Sequence, residues 1–245
     1  MSSSINRPII ILGAMESELD AVIAALDGRD ETEMCGFPVV TGSIDGYPVI
    51  AARTKVGMVN TALATTLLID RFQPMCLISQ GTAGSHLESL HVGDIVLGEK
   101  IININCCHMD EHDCRKVEML CRGEWYEHRC FTSSPALISA AEGTEYNCGK
   151  TVRGVIGSGD FWTHGSDAIH AIQKRYGTFC EEMESFAAAQ ICTLTGTPFL
   201  CMRIISNNEL SGEAFKLSLA LTCQNYALDT ARTIIRENRS GILFA

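Results

Sequence analysis

The sequence predicts an α/β fold: a single domain with a central mixed, largely parallel sheet flanked by helices. Short apolar runs alternate along the chain with segments in which apolar residues recur at helical spacing. Several of the apolar runs end in glycine or small polar residues, which is typical of strands that lead into turns or helices. A length of 245 residues with 46% hydrophobic content suits one domain with a large core.

The first half of the chain supplies the clearest strands. The run from Pro8 to Leu12 is short and apolar, as buried strands are. Asp45-Gly46, between two strand-like segments, is a typical two-residue hairpin turn. In chain order we expect a strand at 8–12, a helix at 13–26, a hairpin at 39–54, a helix from 59 that ends before 74, a strand at 75–79, a glycine-rich turn at 80–85 and a long strand at 94–105.

The second half begins with a stretch, 106–130, in which the periodicity fails; we interpret it as a variable loop or lid. Ser134-Pro135 marks a helix start, because proline is favoured at the first position of a helix. Glu181, Glu182 and Glu184 precede an apolar segment, and the helix dipole favours carboxylates in a first turn. The expected elements are a helix from 134, a strand at 152–156, a helix from 165, a helix beginning with the three glutamates, a buried strand at 199–205 and a last helix at about 213–236.

Charge and composition exclude several classes of function. A net charge of −10 and a pI near 5.1 argue against binding to nucleic acid or to an anionic membrane surface. No segment reaches the ~18 apolar residues that a membrane span needs. Twelve cysteines suggest disulfides, but a chain with this much core does not need them. We expect a cytoplasmic protein with reduced thiols, in which the cysteines of apolar runs act as small hydrophobes: Cys76, Cys180, Cys192 and Cys201.

Three predicted strands end in glycine or polar residues, at Gly81–Gly84, Ser158–Phe161 and Ser206–Asn208. Right-handed crossovers bring the ends of parallel strands to one edge of the sheet, where α/β proteins bind ligands. We therefore expect the three strand ends to meet there. No strand leads into a Gly-Lys-Ser/Thr or G-x-G-x-x-G motif, so nucleotide cofactors of those two kinds are disfavoured and no cofactor is expected.

Five short motifs, taken together, resemble those of one family. In order they are Gly13-Ala14-Met15-Glu16-Ser17-Glu18, Gly81-Thr82-Ala83-Gly84 with His91-Val92-Gly93-Asp94, Ser158-Gly159-Asp160, Glu182-Met183-Glu184 and Arg203-Ile204-Ile205-Ser206. The set resembles the purine nucleoside phosphorylase/uridine phosphorylase superfamily, and within it the 5′-methylthioadenosine/S-adenosylhomocysteine nucleosidase branch. The resemblance extends from about Ile9 to Arg232, except for the 106–130 loop, and implies a nucleoside phosphorylase-like three-layer αβα fold.

Cleavage of a ribose–purine bond builds positive charge on the sugar and negative charge on the departing base. A site for this reaction needs a carboxylate near the sugar, donors on the base and a group that activates water. The resemblance implies that Glu184 binds the ribose hydroxyls and that Glu18 activates the water. From the residues alone, a solvated helix position is the favoured interpretation of Glu18, whereas exposed or capping roles for Glu184 fit its position about as well as a functional one.

The resemblance also implies a set of substrate-binding residues. Trp162 would stack on the base, Thr163 would offer its backbone, and Met183 would pack on the sugar. Arg203 would brace the site, although a buried arginine also pairs with core carboxylates and a buried methionine is often only packing. The complete expected set is Met15, Thr82, Ala83, Gly84, Trp162, Thr163, Glu182, Met183, Arg203, Ser206 and Phe215.

One residue departs from the pattern of the nucleosidase branch, whose hydrolases carry an aspartate where this chain has Asn207. That aspartate resembles a general acid for N7 of adenine, and an amide cannot supply an acidic proton. The amide of Asn207 can, however, donate to a 6-oxo group and accept from a protonated N7. We therefore expect a purine nucleosidase of the methylthioadenosine type, in which Asn207 favours 6-oxopurine nucleosides such as inosine.

Two alternatives remain open. The first is a phosphate-dependent phosphorylase, in which Arg53 and the Gly81–Ser85 turn would form an anion-binding nest. Water is the preferred nucleophile, because Glu16 and Glu18 occupy the neighbourhood where phosphorylases hold phosphate, and two carboxylates repel a dianion. The second alternative is an inactive storage or nucleoside-binding protein of the same fold, with which Asn207 is compatible and the two intact carboxylates are at odds.

The 106–130 stretch is rich in side chains that bind zinc, but their spacing matches no regular zinc finger, so no metal is expected. The side chains concerned are Cys106, Cys107, His108, His112, Cys114, Cys121, His128 and Cys130. In the family this stretch is a variable loop near the subunit contact and the 5′ end of the sugar. The resemblance further implies a homodimer that binds a small purine nucleoside.

Overall fold

The strands and helices of the protein follow the predicted alternation. The computed structural model describes residues 7–105, 108–110, 113–118 and 130–243, with side chains in 7–105 and 130–243. The strands are β1 (Ile9–Gly13), β2 (Asp27–Met34), β3 (Phe37–Ile44), β4 (Tyr47–Arg53), β5 (Cys76–Ser85), β6 (Ile95–Asn103), β7 (His108–Asp110), β8 (Asp113–Glu118), β9 (Cys130–Thr132), β10 (Thr151–Ser158), β11 (Cys180–Glu182) and β12 (Phe199–Asn207). The helices are α1 (Asp20–Ala24), α2 (Met58–Phe72), α3 (Pro135–Glu142), α4 (Ser166–Tyr176), α5 (Ser185–Thr195) and α6 (Leu219–Arg239).

One mixed sheet organises the molecule, as predicted. Its strands lie in the order β2–β3–β4–β1–β5–β12–β6–β10–β11, with β9 paired to β6. Strands β4, β1, β5 and β12 pair in parallel, whereas β2, β3 and β4 form an antiparallel meander. The last strand, β11, pairs with β10 on one side and with β5 on the other. The strands β5–β12–β6–β10–β11 therefore close into a ring, which brings residue 181 beside residue 84.

Helices cover both faces of the sheet and give the three layers that the resemblance implies. One core contains residues of α1, α3 and α6, among them Val22, Leu137 and Ile234. The other contains residues of α2 and α5, among them Leu68 and Cys192. Complete burial of a side chain such as Leu68 stabilises the fold by about 1.5–3 kcal/mol. These two cores fix the strands whose ends carry the candidate site.

The predicted glycine-rich turn at 80–85 is wrong. Strand β5 continues to Ser85; it pairs with β12 as far as Gly84, and with β11 at both residues. Its glycines allow close packing: a Cβ added to Gly81 would lie 2.8 Å from Oε1 of Glu18. Because this segment is extended as part of β5 and the N–H of Thr82 donates to the Glu18 carboxylate, it does not form the anion-binding nest of the phosphorylase alternative.

The helix expected to begin with Glu181 begins later in the chain. Cys180–Glu182 forms β11, and α5 starts at Ser185 with Glu184 at its N-cap. The helix dipole favours carboxylates both inside a first turn and just ahead of it, so the sequence pattern did not separate the two cases. The corrected position places Glu181 and Glu182 in the sheet, between β10 and β5.

Three other boundaries differ from the prediction. Helix α6 begins at Leu219 and not near 213, because Glu213 forms a β-bridge with Asn208. Helix α1 is shorter than expected, because Glu16–Glu18 forms a separate 3₁₀ turn. Strand β2 was not expected, because its residues are mainly polar and exposed; it pairs antiparallel with β3.

Most of the predicted loop or lid at 106–130 lies outside the described residues. Its described backbone includes β7 and β8, which pair antiparallel, and β9 at its end. Among the side chains that the structure describes, no histidine, cysteine and carboxylate groups cluster as metal ligands. Within the same part of the chain, no helix is long and apolar enough to cross a membrane. The described cysteines are free thiols, and those predicted to be buried are buried: Cys76, Cys180, Cys192 and Cys201.

Candidate active site

A cavity of about 450 Å³ lies at the polar edge of the sheet, where residues of β5, β11 and β12 meet. Every residue predicted for the site lines this cavity except Arg203, which is buried in the adjoining core. The predicted residues in the lining are Met15, Glu18, Thr82, Ala83, Gly84, Trp162, Thr163, Glu182, Met183, Glu184, Ser206, Asn207 and Phe215. The fold thus brings together the strand ends that the sequence analysis singled out.

Glu18 is held in the cavity wall by backbone and hydroxyl donors. Its Oε1 accepts from the backbone N–H of Thr82 at 2.9 Å and from Thr82 Oγ1 at 3.1 Å. Its Oε2 accepts from the backbone N–H groups of Ala14 and Met15, at 3.1 and 3.3 Å. At 4% exposure, Glu18 is not the solvated helix residue that its sequence position also allowed.

Glu184, at the N-cap of α5, carries a second carboxylate of the cavity. Its Oε1 accepts from the backbone N–H of Gly57 at 3.0 Å, and its Oε2 from that of Met183 at 3.3 Å. Burial, together with the neighbouring Glu182 carboxylate, raises the pKa of Glu184 to about 8. Positive charge that develops beside this group during a reaction would favour its ionised form.

Glu182 and Arg203 form a buried ion pair, with 2.6 Å between Oε2 and Nη2. The same Oε2 accepts from the backbone N–H groups of Glu184 and Ser185, at 3.0 and 2.8 Å. The hydroxyls of Ser158 and Ser185 donate to Oε1. Burial opposes ionisation of Glu182, but Arg203 and the serine donors lower its pKa overall. The pair therefore fixes the start of α5, and with it Glu184.

Asn207 ends β12 and is 9% exposed. It is the register partner of Gly84, and a Cβ placed on that glycine would lie 3.5 Å from Nδ2 of Asn207. The absence of a side chain at Gly84 therefore leaves open space next to the amide. The hydroxyl of Ser206 lies 3.1 Å from Oδ1 of Asn207 and equally far from the carbonyl of Ala83, and its one proton can be donated to either acceptor.

Two aromatic side chains from different parts of the chain meet in the lining. Trp162 and Phe215 pack edge to face with their ring centroids 5.7 Å apart, and they are 62% and 46% exposed. Phe161, from one of the predicted strand ends, also lines the cavity, as does Leu217, which was not predicted for the site. Aromatic and aliphatic groups at a half-open position suit a planar base or an apolar substituent.

Glu181, His86 and Thr163 form a polar cluster that was not predicted from the sequence. Glu181 accepts at 2.6 Å from both the backbone N–H and the hydroxyl of Thr163. Nε2 of His86 lies 3.2 Å from Oε2 of Glu181, and its Nδ1 lies 2.7 Å from Oγ1 of Thr178. These residues share no motif, and their proximity depends on the pairing of β11 with β5.

Acidic side chains dominate the lining of the cavity. They are Glu18, Glu181, Glu182 and Glu184, and the pKa of Glu184 is raised to about 8. Arg203 balances one of them, and Arg53 pairs instead with the exposed Glu16, with 3.5 Å between Nη1 and Oε2. Such a wall attracts a sugar that becomes cationic and repels a phosphate dianion.

Comparison with known proteins decides the family. The model of the phosphorylase superfamily matches residues 8–237, nearly the whole chain. The chain belongs to the phosphorylase superfamily. It is 31% identical over 227 residues to the 5′-methylthioadenosine/S-adenosylhomocysteine nucleosidase of Geobacillus kaustophilus, which covers 89% of this chain and 92% of that protein. The nucleosidase of the same name from Shewanella baltica is 31% identical over 208 residues, covering 81% and 83%. The predicted nucleosidase branch is confirmed.

Solved structures of other superfamily members share this architecture. The nucleosidase of Colwellia psychrerythraea, solved in complex with adenine, has a TM-score of 0.79 and 27% identity, covering 93% of this chain and 96% of that one. Futalosine hydrolase of Helicobacter pylori has a TM-score of 0.78 at 23% identity, covering 94% and 99%. This second likeness concerns the fold alone. The superfamily fold is confirmed, and the residues of the cavity must indicate the substrate.

Proposed function

We propose that this superfamily member is a purine nucleosidase that hydrolyses the N-glycosidic bond of nucleosides of the 5′-methylthioadenosine type and releases the free base, with Asn207 shifting its preference to 6-oxopurine nucleosides. The names of its relatives support a nucleosidase. The observation that carries the proposal is that Glu18, Glu184 and Asn207 line one cavity. This arrangement offers carboxylates for a sugar and an amide for a base, as glycosidic cleavage needs.

On the sugar, Glu184 binds the ribose hydroxyls and Met183 packs against the ring. As the bond from the anomeric carbon to the base breaks, positive charge develops on the sugar. The sugar hydroxyls therefore become stronger hydrogen-bond donors. This development favours the ionised form of Glu184, which burial disfavours in the free protein. The ion pair of Glu182 and Arg203 keeps the Glu184 carboxylate in place, because Glu182 also accepts from the backbone N–H of Glu184 at the start of α5.

Glu18 activates the water that attacks the anomeric carbon. Rotation of the Thr82 hydroxyl leaves a lone pair of Oε1 for this water, while the backbone donors of Thr82 and Ala14 keep the carboxylate oriented. The water oxygen bonds to the anomeric carbon and its proton passes to Glu18 and from there to solvent, while the base departs with the electrons of the broken bond and takes up a proton from solvent at N7. Ala83 and Gly84 line this part of the cavity with Thr82.

On the base, Asn207 donates to a 6-oxo group and accepts from a protonated N7, with Ser206 beside it and Trp162 on the ring face. Phe215 and Met15 complete the pocket towards the 5′ substituent. An amide supplies no acidic proton for adenine, which supports inosine-like substrates. We expect kcat/KM for inosine to equal or exceed that for methylthioadenosine. A methylthioadenosine preference of several orders of magnitude would overturn this assignment of Asn207.

The nucleophile is tested by omitting phosphate. We expect inosine to yield hypoxanthine and free ribose in phosphate-free buffer, at a rate that added phosphate does not raise. The acidic cavity and the pairing of Arg53 with Glu16 support water over phosphate. Turnover that depends on phosphate and forms ribose 1-phosphate would establish a phosphorylase instead, and binding of purines without turnover would indicate an inactive binding protein.

We also propose that the protein is a cytoplasmic homodimer. Val56, Val59 and Leu63 near the start of α2 are 44%, 79% and 48% exposed, and Val56 lines the cavity as well. Burying this apolar strip against a second copy would remove it from water beside the site. Light scattering should give the mass of a dimer, and V59E/L63E should shift it to the 26.7 kDa monomer. A monomeric wild-type protein would refute the dimer.

A further inference from the structure

A row of three residues crosses the cavity on neighbouring strands. Glu181 of β11 and Asn207 of β12 are both register partners of Gly84, which lies between them on β5. An irregularity of β12 at Ser206 sets Asn207 opposite Gly84, and the side chains of Glu181 and Asn207 both line the cavity. Neighbouring strands of a sheet are about 4.8 Å apart. Because Gly84 has no side chain, the row is open in its middle, with a carboxylate at one end and an amide at the other.

The carboxylate of Glu181 is fixed in a defined orientation. It is 8% exposed, and each oxygen accepts one hydrogen bond of 2.6 Å from Thr163, Oε1 from the backbone N–H and Oε2 from the hydroxyl. Each carboxylate oxygen has a second lone pair. A buried carboxylate that still has acceptor capacity, in the lining of a cavity, is equipped to receive donors from a ligand.

His86 is a second, independent sign of a ligand at this position. Its ring is 2% exposed and lines the cavity. Nδ1 is engaged by Thr178, whereas Nε2 has no hydrogen-bond partner among the described residues. Nε2 lies 3.2 Å from Oε2 of Glu181 but without hydrogen-bond alignment. A buried polar atom without a partner, next to a carboxylate, is rare unless a ligand or water completes the group.

We propose that Glu181 is a specificity-determining residue that accepts the N1–H of a 6-oxopurine base lying over Gly84, opposite Asn207. The inference rests on the proposed nucleosidase function. A 6-oxopurine carries a donor at N1 and an acceptor at O6, which match a carboxylate and an amide N–H. Adenine carries a lone pair at N1, and this would face the lone pairs of the Glu181 carboxylate oxygens.

The same geometry ranks the bases. Guanine adds a 2-amino group next to N1–H, so both free lone pairs of Glu181 can be used in a bidentate contact. Hypoxanthine uses one of them, and adenine uses none. Sites built around a hydrogen bond reject analogues that lack the matching group strongly, because buried polar atoms are then left without partners. The predicted order of affinity is guanine, then hypoxanthine, then adenine.

Calorimetric titration of the wild-type protein with the three free bases tests this order without relying on turnover. We expect guanine and hypoxanthine to bind at least about tenfold more tightly than adenine. Adenine binding as tightly as hypoxanthine would overturn the proposal. If the bases bind in the predicted order but no nucleoside is cleaved, the proposed hydrolysis fails while the role of Glu181 stands.

The variant Glu181→Gln assigns the effect to this residue. Its amide oxygen can still accept from Thr163, but its NH₂ group opposes N1–H and matches the N1 lone pair of adenine. We expect guanine affinity to fall about tenfold or more while adenine affinity is kept or rises. Glu33→Gln, on the exposed strand β2, is the matched control and should change neither. An equal loss for guanine and adenine in Glu181→Gln would show that Glu181 is only structural and would overturn the proposal.

Discussion

The sugar side and the base side of the cavity are built in different ways. Glu18 and Glu184, proposed for the sugar, accept mainly from backbone N–H groups, and the buried pair of Glu182 and Arg203 fixes the helix start beside them. The base side departs from the nucleosidase pattern at Asn207 and adds a second acidic group from β11. We propose that reaction chemistry and base selection are carried by these separate groups. Changes to the sugar side should affect all purine nucleosides alike, whereas changes to the base side should alter their ratio.

The largest effects are expected on the sugar side. Glu184→Gln and Glu18→Gln should each lower kcat/KM by about 10³-fold, because one removes the charge opposite the cationic sugar and the other removes the base that activates water. For each variant, steady-state assays should give the same fold loss of kcat/KM with inosine as with methylthioadenosine. Glu33→Gln serves as the control that keeps full activity. A loss confined to one nucleoside would break the division between the two sides.

The ion pair of Glu182 and Arg203 should contribute more to the stability of the fold than to the chemistry of the reaction. Arg203→Met leaves the Glu182 carboxylate buried without its cation, and this should cost about 3–5 kcal/mol of unfolding free energy. Urea unfolding measures the loss. The double variant R203M/E182Q carries no unpaired charge and should recover part of it. If the double variant is no more stable than Arg203→Met, the charge is not the cause.

The raised pKa of Glu184 makes a prediction about pH. The ordinary carboxyl value of 4.5 describes the unfolded chain, whereas the native value is about 8, so the native state binds this proton more tightly. The stability that the protonated group contributes is complete below about pH 4.5 and is lost as pH rises through about 8. The glutamine of Glu184→Gln does not titrate. The thermal midpoint of this variant, relative to that of the wild type, should therefore rise by several degrees between about pH 4.5 and pH 8. A constant difference between the two proteins would contradict the shift.

The smallest effect on kcat/KM is expected from a substitution on the base side of the cavity. Asn207→Asp restores an acidic group at the end of β12, and kcat/KM for methylthioadenosine should rise about tenfold while that for inosine does not. Asn147→Asp, at an exposed position, is the matched control and should leave both values unchanged. Equal gains for the two nucleosides would show that Asn207 does not select between bases.

Much of the fold could be predicted from the sequence, because apolar strands, helical stripes and the turn at Asp45-Gly46 are local signals. The glycines of β5 were misread, since glycine marks tight turns and close packing alike, and only the contact of Gly81 with Glu18 tells them apart. The sugar-side carboxylates could be proposed from motifs in their order. The cluster around Glu181 could not, because it forms only when β11 closes against β5, and no spacing in the chain reports that pairing.

The central claim is that one cavity holds the sugar between Glu18 and Glu184 and the base beside Asn207. A crystal structure with the carbon-linked analogue of inosine, whose ribose–base bond cannot be hydrolysed, tests it most directly. We predict the ribose hydroxyls on Glu184, a water between Glu18 and the anomeric carbon, and O6 of the base about 3 Å from Nδ2 of Asn207. An analogue bound outside this cavity, or with its ribose directed away from both carboxylates, would contradict the account.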